Sequence, residues 1–252
     1  MDLTDRGLVL RLPVAGDDGG AVIDDTLVAR LSRGLDHAED DERCRIVLLS
    51  SPLAGVFSTG MNLVGAARAE DAGQATRRTG AAFFDLLERF TRTPRIVVSL
   101  VEGQVAGGGL GLVAASDLVL SGERSSFALP EALWGLLPCV VLPFLARRVG
   151  FQKAYSLALT TQPIDAGGAL ACGLADDVRA DPGQAVRQLA YRAARLDPAT
   201  IGDLKRYAHR MNPLPADTRA AALTELGRLL AEPPVRRRLA AFADHGRYPW
   251  ES

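Results

Sequence analysis

The stretch Ile96-Val97-Val98-Ser99-Leu100-Val101-Glu102-Gly103-Gln104-Val105-Ala106-Gly107-Gly108-Gly109-Leu110-Gly111-Leu112-Val113-Ala114-Ala115 decides how this chain is read. Ile96 to Val101 is a short apolar run of the kind that forms a buried strand. It passes through Gly103 into a run of small residues, Ala106 to Ala115, that reads as a turn opening a helix. A strand, a glycine-rich turn and a helix in succession predict an α/β architecture.

Working outward toward the N-terminus, Pro94 ends a helical pattern marked by Phe83, Phe84, Leu87 and Phe90, which a polar, alanine-rich stretch around Asp71 to Arg78 precedes. Pro52 to Gly60 reads as a loop, and Arg45 to Leu49 as another buried strand. Ile23, Leu27, Leu31 and Leu35 recur at four-residue spacing, the stripe of an amphipathic helix. Val9 to Leu12 is a short strand. Toward the C-terminus, Asp117 to Ser121 and Ser126 to Leu129 read as strands, the second stopped by Pro130. From Val140 onward the pattern is mostly helical, with segments near 140–149, 152–159, 165–172, 184–196, 200–209, 218–230 and 235–242. The expectation is an α/β core followed by a helical C-terminal region, with no long linker and no fixed-period repeat.

Of the 252 residues, 48% are hydrophobic and 23% charged, which suits a chain that buries a real core. The net charge of −1 demands no polyanionic partner, so neither nucleic acid nor a membrane surface is expected. The start, with Asp2 and Asp5 before a short apolar run, does not read as a secretory signal, and no stretch approaches the ~18 apolar residues of a membrane span. Cys44, Cys139 and Cys172 are too few and scattered for a disulfide framework or a metal site, and fit buried free thiols in a reducing cytoplasm.

Gly107-Gly108-Gly109 lets a backbone come close to a ligand while free N–H groups and the helix dipole face negative charge. Tight helix packing is the plainer explanation of such a run. A dinucleotide-binding turn is disfavoured, because the spacing is not GxGxxG and no acidic residue follows at the usual distance. A second loop, Phe57-Ser58-Thr59-Gly60-Met61-Asn62-Leu63, also follows a strand. Together the two junctions could each offer one N–H to a single carbonyl oxygen, the geometry that an enolate requires.

Phe57 to Leu63, Ala106 to Gly109 and Ser126-Phe127-Ala128-Leu129-Pro130-Glu131 resemble, in spacing, the three signature segments of the crotonase (enoyl-CoA hydratase/isomerase) superfamily. The resemblance covers nearly the whole chain. It implies a spiral of ββα units over 1–195 and a helical region over 196–252 involved in site closure and trimerisation. It implies that the N–H groups of Met61 and Gly108 form an oxyanion hole for a thioester carbonyl, with Gly60 and Gly107 beside the substrate. It also implies a homotrimer or hexamer. Hydratases of the superfamily use two glutamates, and here the first position is Gly111 while the second is Glu131. A one-carboxylate mechanism is therefore expected, as in the Δ3,Δ2-enoyl-CoA isomerases.

The run Ala132 to Ala154, with Ala114-Ala115-Ser116-Asp117 and Leu204-Lys205-Arg206-Tyr207, is similar to the hydratase-like dehydratases of polyketide β-branching cassettes. That likeness implies dehydration of a 3-hydroxy-3-methylglutaryl thioester to a 3-methylglutaconyl thioester. It further implies an acyl carrier protein as partner and no cofactor beyond the phosphopantetheine that carries the substrate. Arg147, Arg148, Lys153, Lys205 and Arg206 are candidates to meet its phosphate, Lys205 foremost, with a solvated basic face as the alternative. The Asp17-Asp18-Gly19-Gly20 stretch lacks the basic residue of many CoA-binding relatives, which favours a carrier protein over free CoA.

Taken alone, Glu131 is a helix-start acid after a proline, and only the surrounding pattern makes it catalytic. Asp117 reads as a structural carboxylate, and Asn62 as the holder of the oxyanion loop. Trp134, Leu136, Leu137 and Phe144 read as core or acyl-pocket wall. His37, His209 and His245 stand beside no nucleophile motif, and no GxSxG elbow supports a serine triad. An enoyl-CoA isomerase and a non-catalytic carrier-protein-binding protein remain as alternatives.

Overall fold

A computed structural model describes residues 2–4, 7–16, 19–62 and 72–251; Asp5, Asp17, Asp18, Leu63 and Asp71 of the readings above lie outside them. The first part of the chain forms β1 (Asp2–Thr4), β2 (Val9–Pro13), β3 (Val22–Ile23), α1 (Asp25–Asp40), β4 (Ile46–Ser50), β5 (Val56–Ser58), β6 (Gly60–Met61) and α2 (Ala72–Arg92). Next come β7 (Ile96–Val101), β8 (Gln104–Ala106), α3 (Gly108–Ala115), β9 (Leu118–Gly122), β10 (Ser126–Ala128) and a 3-10 turn, Glu131–Trp134. The remainder is α4 (Leu142–Val149), α5 (Phe151–Thr160), β11 (Ile164–Asp165), α6 (Ala166–Ala171), β12 (Asp177–Arg179), α7 (Gly183–Ala193), α8 (Pro198–Met211), α9 (Thr218–Ala231) and α10 (Pro233–His245).

The large sheet has the order β1-β2-β4-β7-β9-β12, parallel except for the β1–β2 pair. Strands show alternate residues to opposite faces, and here both faces are covered. Val47, Leu49, Val97, Val101 and Val119 join the main core. Ile46, Leu48, Val98, Leu100 and Leu120 pack on Ala185, Val186, Ala190 and Ala193 of α7. Burial on both sides is why these strands read as unbroken apolar runs with no polar alternation.

A second sheet, β11-β10-β8-β5, stands beside the first. Three times the chain leaves a strand of the large sheet and adds a short strand to the second, as β4–β5, β7–β8 and β9–β10, before turning helical. This is the expected ββα spiral. The sequence read 52–60 as a loop and placed no strand between Gly103 and the turn that begins at Ala106, whereas β5, the start of β6, and β8 lie there. Three-residue strands carry too few alternating positions to register as a pattern. The repetition is equally hidden, because the closing helices differ in length, 21 residues in α2 and 8 in α3. All eight residues of α3 are buried, which its Gly, Ala, Leu and Val side chains permit.

The C-terminal helices pack on this core. Leu223 and Leu226 of α9 lie against Gly80 of α2, and α8 is fastened through Lys205. The Lys205 ammonium is buried and donates to Phe90 O at 2.7 Å, Arg95 O at 3.0 Å and Asp117 Oδ2 at 2.6 Å. Asp117 Oδ2 also accepts from Val97 N at 2.8 Å. All three ammonium donors are thus consumed inside the protein, which corrects the expectation that Lys205 meets a pantetheine phosphate. Burial lowers its pKa while Asp117 opposes the shift. Asp117 is structural, as the sequence suggested, although it is a partly exposed clamp and not a buried cap.

Replacing Lys205 with Met leaves two carbonyls and a carboxylate without their donor. We expect a loss of about 3 kcal/mol in unfolding free energy, read from urea denaturation. A loss under ~0.5 kcal/mol, the scale of an ordinary surface substitution, would show that α8 is held by other contacts.

Candidate active site

β6 pairs with β3 in a two-stranded sheet of their own, and its first residue, Gly60, lies against the end of β8. At that junction the chain turns through Gly60, φ +95°, and Gly107, φ +51°, a region side chains rarely adopt. Space is also tight for a side chain there. A β-carbon on Gly60 would lie 3.1 Å from Ala106 O and 3.3 Å from Gly108 N, and one on Gly107 would lie 3.1 Å from Glu131 Oε1 and 3.7 Å from Gly60 Cα. Glu131 therefore occupies the space that Gly107 leaves empty.

Gly107 N donates to Ala128 O at 3.0 Å, which fixes the turn to β10. Gly108 is the first residue of α3, so its N–H has no carbonyl partner within the helix and lies at the positive end of the helix dipole. The position of a β-carbon on Gly108 is 3.4 Å from Met61 N, so the two amides expected to share one oxygen are neighbours. Asn62 N donates to Ile23 O at 3.0 Å and holds the Met61 loop to β3 by its backbone. Gly60, Met61, Gly107, Gly108 and Glu131 are thus brought together. Lys205 belongs to the clamp described above.

Glu131 opens the 3-10 turn after Pro130, and its own carbonyl accepts from Leu136 N at 3.0 Å. Among the described residues its Oε2 is buried without a hydrogen-bond partner. Burial raises its pKa to about 7, with a hydrogen bond from its own backbone N–H acting in the opposite direction. A solvated helix-start acid would show neither feature. A carboxyl group that is half protonated near neutral pH can both take and return a proton.

The place of a second carboxylate, Gly111, is closed by hydrocarbon. A β-carbon there would meet Leu87 Cδ1 at 3.0 Å and Phe83 Cε1 and Cζ at 3.3 Å. Phe83 and Leu87 were read only as a helix stripe, and their part in closing this wall has no signal in the sequence beyond that spacing.

The other basic candidates divide. Arg148 donates to Leu174 O and Ser116 O, each at 2.8 Å, and pairs with Asp176, which makes it a structural brace. Arg206 pairs with Asp203. Arg147 has a buried Nη1 without a partner among the described residues, and burial lowers its pKa. Phe144 packs on Phe84 with ring centroids 5.1 Å apart, and Leu136 is buried while Leu137 is exposed. Trp134 joins an aromatic cluster with Phe242, Tyr248 and Trp250, a grouping that the sequence reading missed. Its only trace there is the pair of aromatics in the tail.

A family model described as enoyl-CoA hydratase/isomerase matches residues 21–252. Among characterised relatives, the bacillaene synthase dehydratase PksH of Bacillus subtilis (strain 168) is 31% identical over 229 residues, covering 91% of this chain and 88% of that protein. The carnitinyl-CoA dehydratase of Proteus mirabilis (strain HI4320) is 26% identical over 211 residues, covering 81% and 78%. In crystal structures, the polyketide biosynthesis enoyl-CoA hydratase PksH of Bacillus subtilis superposes with a TM-score of 0.85 at 28% identity, covering 96% of this chain and 95% of that one. An enoyl-CoA hydratase from Mycobacterium avium gives 0.82 at 26% identity, covering 96% and 92%. With the ββα spiral, the paired amides and these likenesses together, the chain belongs to the enoyl-CoA hydratase/isomerase (crotonase) family.

Proposed function

We propose that the protein dehydrates a 3-hydroxy-3-methylglutaryl thioester, carried on an acyl carrier protein, to a 3-methylglutaconyl thioester in polyketide β-branching. The observation that carries the reading is a single desolvated carboxylate, Glu131, set beside the Met61 and Gly108 amides, with Phe83 and Leu87 closing the position of a second. The likeness to PksH, a bacillaene synthase dehydratase, supports the polyketide setting.

The thioester oxygen sits between the N–H groups of Met61 and Gly108. Those dipoles are fixed before the reaction begins, and each contributes about 3 kcal/mol to the developing enolate. The Glu131 carboxylate takes the C2 proton, and the electron pair moves onto the thioester oxygen. The pair then returns to form the C2–C3 double bond as the C3–O bond breaks. Protonated Glu131 delivers its proton to the departing hydroxyl, so water leaves and the carboxylate is regenerated. One residue serves both steps when the C2 hydrogen and C3 hydroxyl lie on the same face.

Gly60 and Gly107 flank the acyl chain, no cofactor takes part beyond the phosphopantetheine of the substrate, and the working form is a cytoplasmic homotrimer or hexamer. A Δ3,Δ2-enoyl-CoA isomerase is the second reading, because a lone carboxylate also suffices to move a proton between C2 and C4.

Glu131→Gln should lower turnover by about 10³-fold while leaving the thermal midpoint close to that of the native chain. Near-normal turnover would remove Glu131 from the mechanism. The native enzyme needs Glu131 ionised at the outset, so kcat/KM should rise with pH through about 7. A profile already flat from pH 5.5 upward would contradict a desolvated base. Offered separately, 3-hydroxy-3-methylglutaryl carrier protein should turn over and a 3-enoyl-CoA should not; the reverse would establish the isomerase.

A further inference from the structure

Glu131 opens a 3-10 turn of four residues whose far end packs against the C-terminal region. That end is Trp134, against which three aromatic rings lie. Its ring meets Phe242 edge-on at 5.1 Å, Tyr248 at 6.1 Å and Trp250 at 6.2 Å. The gripping rings also hold one another, Phe242 and Tyr248 at 4.9 Å and Tyr248 and Trp250 stacked at 4.8 Å. Arg238 adds a polar tie, with Nη1 donating to Trp134 O at 3.3 Å and filling the space beside Gly135, where a β-carbon would stand 2.5 Å from it.

The chain folds back after α10. Gly246, φ +66°, ends α10 with its N–H on Phe242 O at 2.9 Å. The tail then closes on itself, with Tyr248 N donating to Glu251 Oε2 and Glu251 N to Tyr248 O, both at 3.0 Å. Tyr248 and Trp250 nevertheless remain 40% and 53% exposed.

We propose that Tyr248 and Trp250 are positioning residues: with Phe242 and Arg238 they form a clasp that holds the Glu131 turn against the Gly107–Gly108 amides and keeps water from its carboxylate. The clasp acts through Trp134 and touches no substrate. It rests on the assignment of Glu131 as the acid/base group. Opening it lets the turn drift and hydrates the carboxyl, which moves the pKa of Glu131 down from about 7 toward the ordinary carboxylate range.

The test uses the full-length double variant Tyr248→Ala/Trp250→Ala beside Tyr248→Phe/Trp250→Phe. A misplaced base costs rate more than binding. The alanine pair should therefore lower kcat on 3-hydroxy-3-methylglutaryl carrier protein at least about tenfold, hold KM within about twofold, and shift the rising limb of the pH profile to lower pH. The phenylalanine pair should restore all three. A carbon-13 carboxyl NMR titration, with Glu131 assigned from the signal lost in Glu131→Gln, reads the same downward shift without turnover, so it decides the matter even if the proposed substrate is wrong. An unchanged Glu131 titration and an unchanged kcat in the alanine pair would overturn the clasp. So would a fall in kcat that the phenylalanine pair does not rescue.

Discussion

At Gly107 the main chain turns through a left-handed conformation with Gly60 on one side and the Glu131 carboxyl on the other, and a β-carbon would lie 3.1 Å from that carboxyl. This close approach of backbones governs the rest of the site. It places the first amide of α3 next to the Met61 amide and leaves room for the Glu131 carboxyl beside Gly107.

Desolvation then sets the chemistry. Glu131 loses its hydration shell and, among the described residues, finds no partner for Oε2, so its proton is held into the neutral range. The same dryness extends to Gly111, where Phe83 and Leu87 fill the room that a second carboxylate would need. With the position of Gly111 walled off by hydrocarbon, Glu131 is the carboxyl group left there to take a proton and return it.

The parts of this architecture that were legible in the sequence are those whose cause is local. Ile46 to Leu49 and Ile96 to Val101 read as strands because both of their faces are buried, and Leu27, Leu31 and Leu35 read as a helix stripe because that face of α1 is buried. Gly107 was visible because its positive φ favours glycine, and Gly108 because it stands beside it at the start of a small-residue helix. Glu131 was visible only through the pattern around it, since its burial comes from segments distant in the chain. Lys205 was misread for the same reason. A lysine on an amphipathic helix looks solvated until Asp117, 88 positions away, and the carbonyls of Phe90 and Arg95 are folded onto it. The short strands β5 and β8 and the aromatic grip on Trp134 likewise arise from long-range pairing, which no window of sequence contains.

The central claim is that Glu131 and the paired amides generate an enolate at C2 of a thioester. Proton exchange into a substrate analogue that has no hydroxyl to lose, 3-methylglutaryl carrier protein in deuterium oxide, tests that step apart from all later ones. The account predicts enzyme-dependent incorporation of deuterium at C2 with C4 left protonated. Absence of exchange at C2, with the analogue bound, would contradict it.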